Sequence, residues 1–285
     1  MQTAFSRWLS PKQYPFLASH VMNGRAVLPV AVILEWLAHG ALHANPGLGF
    51  HGFDDFRLYK GVVLDEAAYG IRVTAGTVGM AGQNLEVVVE LRGTGDNDTL
   101  HARATILLTE DLPAAPAAPA LPAGLTPYGR SVQEAYREVL FHGPEFRGIT
   151  HVEGIAPDAI VASLKAARAP SAWIQAPLRD TWLADPLAID SAFQLLILWS
   201  VEVLGAPCLP SRAAGYRQYQ SAFPQEGVRA LVRVTSQAGS QAIADVAFVD
   251  AEGALVAELL GAECTHDASL AAAFRRNALA PTLQP

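Results

Sequence analysis

Two long stretches of this sequence are apolar on nearly every side, and they constrain the fold more than any other feature. The first, VAVILEWLAHGALHA, follows Pro29 and ends before Asn45-Pro46-Gly47. The second, LAIDSAFQLLILWSVEVLG, follows Pro186. Proline is favoured in the first turn of a helix, and a helix that is hydrophobic all round is buried on most of its surface. The sequence therefore predicts two central helices, each enclosed by other structure.

Short β-branched segments follow each helix. They are KGVVLD, YGIRVTAGT, NLEVVVELRG and HARATILLTE after the first, and GVRALVRVTS, AIADVAFVD and ALVAELLGAEC after the second. Turn-forming residues bound them, as is typical of antiparallel strands. The pattern predicts an α+β protein of two similar halves, each with one helix held by a sheet.

A proline- and alanine-rich segment, DLPAAPAAPALPAGLTP, separates the two halves. Such a composition forms an extended connector without a core of its own. We expect an N-terminal half over residues 1–112, a linker over 113–127, a C-terminal half over 128–267, and a tail over 268–285. The tail is typical of a domain excised from a longer chain, and a free-standing protein is the alternative.

Composition excludes several classes of protein. The formal net charge is −7, and no basic block interleaved with aromatic residues is present, which argues against a nucleic-acid partner. The two cysteines form no paired motif, so neither a disulfide framework nor a thiolate metal site is predicted. No signal peptide is evident, and Glu35 and Glu202 interrupt apolar runs too short to span a bilayer. We expect a cytoplasmic protein without membrane contact.

Asp190 and His20 are the candidate catalytic residues. Asp190 lies within the second apolar helix, where desolvation should raise the pKa of its carboxyl, and Gln194 is one helical turn away on the same face. His20 precedes the first helix. A protonated carboxyl and a neutral imidazole are the acid and base that a β-elimination needs. Taken singly, Asp190 could equally be a structural residue bonded to Gln194, and His20 a cap or surface residue.

Four segments carry a resemblance to a known family. They are His20, Gly24 and Pro29 as H-x3-G-x4-P, FHGPEFRGI at 141–149, LPSR at 209–212, and Asp190 with Gln194 as D-x3-Q. In this order, and around a linker, they resemble the dehydratase domains of polyketide synthases and polyunsaturated fatty acid synthases across almost the whole chain.

The resemblance implies a double-hotdog fold, in which two curved antiparallel sheets each wrap around a long central helix. It implies a carbon–oxygen lyase that converts a 3-hydroxyacyl thioester on an acyl carrier protein to the trans-2-enoyl thioester during polyketide or fatty acid chain extension. His20 would be the base at the α-carbon and Asp190 the acid toward the β-hydroxyl. Gln194 would orient Asp190, and the turn at Gly24, with Pro29, would support amide donors near the thioester carbonyl. The implied substrate-binding residues are His142, Gly143, Pro144, Phe146, Leu209 and Pro210.

Two positions depart from the family pattern. Val30 stands where the family usually has glycine after the motif proline, and His142 stands where it usually has tyrosine. His142 either replaces the tyrosine, with altered pH dependence or substrate placement, or is structural.

Metal and partner sites are less strongly indicated. Glu35, His39 and His43 share one helical stripe, which favours the solvated edge of a buried helix over a metal site, and the implied reaction needs no metal. No cofactor is expected, because the substrate is carried on the phosphopantetheine arm of the carrier protein. Expected partners are that carrier protein, other synthase domains and a second copy of the chain. Candidate docking cations are Arg212, Arg217, Arg275 and Arg276.

Two alternative functions fit the same residues. The base could shift a double bond or hold an enoyl product for ring closure, or the domain could bind acyl groups without catalysis. Substrate length, branching, hydroxyl stereochemistry and double-bond geometry depend on the shape of a tunnel, which the sequence does not predict.

Overall fold

The computed structural model describes residues 1–64, 68–81, 84–95 and 98–280. The N-terminal half contains nine strands and one α-helix among these residues. In chain order they are β1 (Gln2–Leu9), a 3-10 helix (Pro15–Ser19), β2 (Val21–Met22), β3 (Arg25–Val27), α1 (Val30–His43), β4 (Gly49–Leu58), β5 (Val63–Leu64), β6 (Tyr69–Ala75), β7 (Gly79–Ala81), β8 (Asn84–Gly93) and β9 (Leu100–Thr109).

The C-terminal half repeats the plan of a long helix followed by strands. Its elements are α2 (Val132–Glu138), a 3-10 helix (Pro144–Phe146), β10 (Ile149–Ala156), β11 (Ala159–Leu164), α3 (Pro170–Trp173), α4 (Pro186–Leu204), β12 (Cys208–Gln218), β13 (Val228–Ala238), β14 (Gln241–Val249), β15 (Leu255–His266) and α5 (Leu270–Arg275). The fold class is therefore α+β, as predicted, and both central helices lie where the apolar stretches placed them.

The two half-sheets join edge to edge into one antiparallel sheet. Its strand order is β1-β6-β8-β9-β4-β12-β15-β14-β13-β11-β10, with β7 on β8. The junction is the β4–β12 pair, in which Phe53 lies opposite Tyr216. A Cβ at Gly52 would collide with the carbonyl oxygen of Tyr216, so this register requires glycine. The continuous sheet fixes the two central helices relative to each other.

Helices α1 and α4 pack against each other and against the concave sheet. α1 is buried from Val30 to Leu42, while α4 begins at an Asp185 cap that accepts N–H bonds from Leu187 and Ala188. With 19 residues, α4 is long and apolar enough by composition to cross a membrane, but 78% of its apolar window is buried inside the fold. It is therefore built as a core helix.

The proline-rich segment is extended and lies on the outer face of the C-terminal half-sheet. Ala118 and Leu125 cover a small apolar cluster there, and Thr126 forms a bridge with Ile155. The division into two halves around this linker remains our proposal. The predicted strand KGVVLD shortens to β5, with Asp65 outside the described residues, as are the last five residues of the tail.

Candidate active site

His20 is held by the hairpin of β2 and β3. Asn23 and Gly24 form its turn with φ of 56° and 78°, a left-handed pair that suits Asn-Gly. The His20 carbonyl accepts the Val27 N–H, and His20 Nδ1 lies 2.7 Å from the Val27 carbonyl oxygen. Because a carbonyl can only accept, Nδ1 carries the proton and Nε2 keeps a free lone pair. Burial lowers the pKa of His20 to about 4, opposed by the hydrogen bond to Val27.

Asp190 lies in the second turn of α4 and is 4% exposed. Its Oδ2 accepts a hydrogen bond of 2.7 Å from Gln194 Nε2. Burial raises the pKa of Asp190 to about 7, and the Gln194 bond opposes that rise. Gln194 in turn accepts a bond of 2.8 Å from the hydroxyl of Tyr136, a residue that the sequence motifs do not mark.

His20 and Asp190 face each other across the junction of the two halves. His20 Nε2 lies 3.9 Å from Asp190 Oδ1, longer than a hydrogen bond. Because the pKa of the imidazole is lowered and that of the carboxyl is raised, the two groups are neutral together rather than an ion pair. The geometry thus brings an unprotonated base and a protonated acid to one place.

A cavity of about 240 Å³ contains this pair. Phe193 and Ile197 line it from the same face of α4 as Asp190, and Leu209 and Pro210 line it from β12. The full lining is His20, Met22, Val27, Leu28, Val30, Leu58, Gly61, Val63, Phe141, His142, Asp190, Phe193, Ile197, Leu209 and Pro210. Its walls are apolar apart from the His and Asp side chains, which suits an acyl chain.

His142 also lies in this cavity. Its Nε2 is 3.4 Å from Asp190 Oδ2, and its ring stacks on Phe141 with centroids 3.9 Å apart. Burial, followed by the effect of His20, lowers the pKa of His142. Its Nδ1 is buried without a hydrogen-bond partner in the described part of the chain.

The other residues of the 141–149 segment lie behind the cavity wall. Gly143 donates its N–H to the Ser19 carbonyl at 2.7 Å, and a Cβ at Gly143 would lie 2.8 Å from Ser19 Cα. Phe146 supplies the carbonyl that accepts the second Gln194 amide hydrogen. Gly143, Pro144 and Phe146 are therefore placed to hold His142 and Gln194, and none of the three lines the cavity.

Gly24 does not offer a free amide in this structure. Its N–H donates to the Arg276 carbonyl at 2.8 Å, and Asn23 N–H donates to Ala273. Pro29 instead caps α1, and Val30, the first helical residue, lines the cavity. Backbone N–H groups in a first helical turn lack intrahelical acceptors and carry partial positive charge. The available donor is thus the N-terminus of α1, not the predicted turn at Gly24.

The Glu35 stripe is a buried tie, which corrects the expectation of a solvated edge. Glu35 is 1% exposed. Its carboxylate accepts the N–H groups of Leu183 and Ala184, both at 2.9 Å, and bonds His39 Nε2 at 3.0 Å. His43 is exposed at the helix end. Because these oxygens are occupied by backbone donors, Glu35 links α1 to the segment that enters α4.

His20, His142 and Asp190 offer three ligand atoms within 4.8 Å of one another. Histidine ligands usually donate their other ring N–H to an acceptor, which His20 does through Val27. His142 Nδ1 has no such acceptor among the described residues. The arrangement therefore suits acid–base chemistry better than metal binding.

The predicted docking cations are unevenly available. Arg212 bonds Asp55 at 3.0 Å and Arg217 bonds Asp54 at 2.7 Å. Arg275 donates to the Ala271 carbonyl at 3.2 Å, and Arg276 is exposed beside the β2–β3 turn. Two of the four are thus already paired with carboxylates.

Comparison with known proteins now bears on this geometry. Residues 113–271 match the family described as "Polyketide synthase dehydratase N-terminal domain", and residues 1–90 match the "Polyketide synthase dehydratase domain". The chain belongs to the polyketide synthase dehydratase family. Its double-hotdog fold and dehydratase class agree with the resemblance seen in the sequence.

A relative of this dehydratase domain is found within the polyunsaturated fatty acid synthase of Thraustochytrium sp., in one of its large polypeptides, at 29% identity over 235 residues. The match covers 82% of this chain and 8% of that polypeptide, so the chain spans a small part of its relative.

Solved structures establish the fold. The dehydratase domain of PpsC from Mycobacterium tuberculosis has a TM-score of 0.70 at 21% identity, covering 92% of this chain and 93% of that one. The dehydratase domain from the CurF module of curacin polyketide synthase has a TM-score of 0.72 at 17% identity, covering 92% of each chain.

Proposed function

We propose that this domain dehydrates a 3-hydroxyacyl thioester, carried on the phosphopantetheine arm of an acyl carrier protein, to the trans-2-enoyl thioester. The observation that carries the proposal is the position of His20 Nε2 and Asp190 Oδ1, 3.9 Å apart in one apolar cavity. A lone pair and an acidic proton face the same space from two different walls. That is the arrangement required to remove hydrogen and hydroxide from adjacent carbons.

In the proposed reaction, the His20 lone pair accepts the α-proton while the α-carbon electrons form the double bond. The C–O bond at the β-carbon breaks, and Asp190 protonates the departing oxygen as water. The thioester oxygen gains negative charge as the α-proton leaves. The N-terminus of α1 at Val30 is placed to stabilise that charge.

The catalytic groups must exchange a proton after each turnover. His20 ends protonated and Asp190 ends ionised. Since burial disfavours both charged forms, a proton returns from Nε2 to Oδ1 across the 3.9 Å gap, carried by the product water. No cofactor enters this sequence of steps, because the phosphopantetheine arm belongs to the substrate.

The proposed partners follow from the substrate. They are a carrier protein, the other domains of a synthase and a second copy of the chain. The PpsC domain was solved in complex with C12:1-CoA, which supports an acyl thioester as the ligand class here. The two free, buried cysteines, Cys208 and Cys264, fit the proposed cytoplasmic location.

The test is turnover of 3-hydroxyacyl carrier-protein thioesters of both stereochemistries, followed by mass spectrometry. Loss of one water is expected, whereas isomerisation or cyclisation of an enoyl substrate leaves the mass unchanged. His20→Ala and Asp190→Asn should each lower kcat by roughly 10²–10⁴-fold.

His43→Ala and Asp158→Asn are matched controls at exposed positions and should keep wild-type rates. The proposal is wrong if wild-type protein forms no enoyl product, or if both site variants keep full activity.

A further inference from the structure

A chain of hydrogen bonds behind Asp190 has a direction that the backbone dictates. The N–H of Ile149 donates to the hydroxyl oxygen of Tyr136 at 3.0 Å. A backbone N–H can only donate, so the Tyr136 hydroxyl hydrogen points elsewhere. It points to Gln194 Oε1, 2.8 Å away.

The orientation of the Gln194 amide follows from that bond. With Oε1 receiving the Tyr136 hydroxyl, the NH₂ group faces the Phe146 carbonyl at 2.8 Å and Asp190 Oδ2 at 2.7 Å. Both amide hydrogens are used. A flipped amide would set its oxygen against two acceptors and its NH₂ against a donor, in a site where Gln194 is fully buried. Such unpaired buried groups are costly.

The amide orientation decides which oxygen of Asp190 carries the proton. Oδ2 accepts a hydrogen bond from Gln194 and therefore does not bear hydrogen on that side. His142 Nε2, 3.4 Å from the same oxygen, adds a second donor when its proton is on Nε2. The acidic hydrogen then belongs on Oδ1, the oxygen nearer to His20.

We propose that Tyr136 is a positioning residue which, acting through Gln194, holds the acidic proton of Asp190 on the oxygen that faces the substrate. The proposal rests on the proposed function, because it names how the acid of that same site is oriented. Tyr136 touches neither Asp190 nor the cavity lining, and it lies on α2, outside all four sequence motifs.

The groups that act on Asp190 come from four elements. His20 faces it from the β2 hairpin and His142 from the loop before the Pro144–Phe146 helix. Tyr136 acts from α2, with Arg147 over its ring at 5.5 Å, and Gln194 acts from α4 itself. Of these, only Gln194 bonds Asp190 within 3.0 Å among the described residues.

The test is Tyr136→Phe, which keeps the ring and removes the hydroxyl. Freed of its donor, Gln194 should hold Oδ2 less firmly, so kcat should fall about tenfold while KM changes little. The pKa of the Asp190 carboxyl should rise, because its ionised form loses part of a hydrogen bond. The carboxyl ¹³C signal of Asp190, assigned with Asp190→Asn, reports that pKa without any turnover assay.

Tyr216→Phe is the matched control. The Tyr216 hydroxyl donates to Gln218 Oε1 at 2.8 Å and is also buried, but this pair does not contact Asp190. The control should lower the melting temperature and leave the Asp190 titration and kcat at wild-type values. A Tyr216→Phe protein that shifts both in the same way would overturn the proposal, since the effect would then be general destabilisation.

A double-mutant cycle with Gln194→Ala tests the route. Tyr136→Phe should cost nothing further in the Gln194→Ala background, and losses that multiply would refute a route through Gln194. If Tyr136→Phe does not fold, the Gln194 side-chain ¹⁵N amide signals of the wild-type protein decide. They should shift as Asp190 titrates, and signals that ignore that titration would refute the relay. Failure of the proposed function shows instead as a wild-type protein that forms no enoyl product.

Discussion

His20 Nε2 and Asp190 Oδ1 lie 3.9 Å apart and are neutral together. A salt bridge at this position would place the proton on the imidazole, leaving neither a base nor an acid for elimination. Burial of both groups prevents that transfer, since each charged form is desolvated. The apolar cavity therefore produces the protonation states that the reaction needs.

The first prediction is a bell-shaped dependence of kcat/KM on pH. The pKa of His20 is lowered to about 4 and that of Asp190 is raised to about 7. Activity should fall below the first value, as the base becomes protonated, and above the second, as the acid ionises. Steady-state rates between about pH 3.5 and pH 9 would check this. Activity that keeps rising above about pH 8 would contradict the assignment of Asp190 as the acid.

The second prediction concerns stability. A carboxyl whose pKa is raised on folding stabilises the fold fully below its unfolded pKa, and this contribution is lost as pH rises through the folded value. The free energy of unfolding of the wild type, relative to Asp190→Asn, should therefore decline between about pH 4 and pH 7. Urea denaturation of both proteins at several pH values measures it. A constant difference would show that Asp190 titrates normally.

Much of this fold could be predicted from sequence because its central helices are apolar on all sides. Strands β4 and β12 were not predicted. β4 carries adjacent charges and a positive φ at Asp55, while β12 contains Pro210 and Gly215, so neither shows clean alternation. Their pairing makes the junction of the halves, and long-range register of this kind leaves no local pattern.

The site was predictable only in part for a related reason. His20 and Asp190 were found through a residue pattern that resembles a family, not through spacing alone. Tyr136 and Gln194 are 58 positions apart, so their contact exists only in the folded chain. Gly24 was expected to present its amide, but the segment after α5 occupies that donor.

The third prediction separates activity from stability at His142. Its Nε2 lies 3.4 Å from Asp190 Oδ2, while Nδ1 is buried without a partner among the described residues. His142→Phe removes both nitrogens, so it should lower kcat several-fold while leaving the free energy of unfolding equal to or higher than that of the wild type. His142→Tyr, which restores a donor, should recover much of the rate. Rates and urea midpoints of both variants check this, and an unchanged kcat in His142→Phe would make the residue structural.

The fourth prediction concerns Glu35, which ties α1 to the residues before α4. In Glu35→Gln an NH₂ group replaces one acceptor and faces the N–H of Leu183 or Ala184. A buried N–H left without an acceptor costs roughly 1–3 kcal/mol, so urea denaturation should show a loss of that size. Glu226→Gln, at an exposed position, should match the wild type. Equal stability of Glu35→Gln and wild type would show that the tie is not needed.

The fifth prediction tests how closely the 141–149 segment must approach α4. A Cβ at Gly148 would collide with Ser191 Oγ and lie 2.9 Å from Leu187 Cγ. Gly148→Ala should therefore lower the free energy of unfolding by roughly 1–3 kcal/mol and also reduce kcat, because Ser191 adjoins Asp190. Gly129→Ala is the control, since nothing lies within 4 Å of the added carbon.

The same collision provides its own rescue. Ser191 Oγ is buried and has no hydrogen-bond partner in the described part of the chain, so Ser191→Ala should be neutral or stabilising. Combined with Gly148→Ala, it removes the atom that the new methyl group would strike. The double variant should regain part of both the stability and the rate, measured by urea denaturation and turnover. If the two changes were additive instead, the tight approach of Gly148 to α4 would not be the cause of the loss.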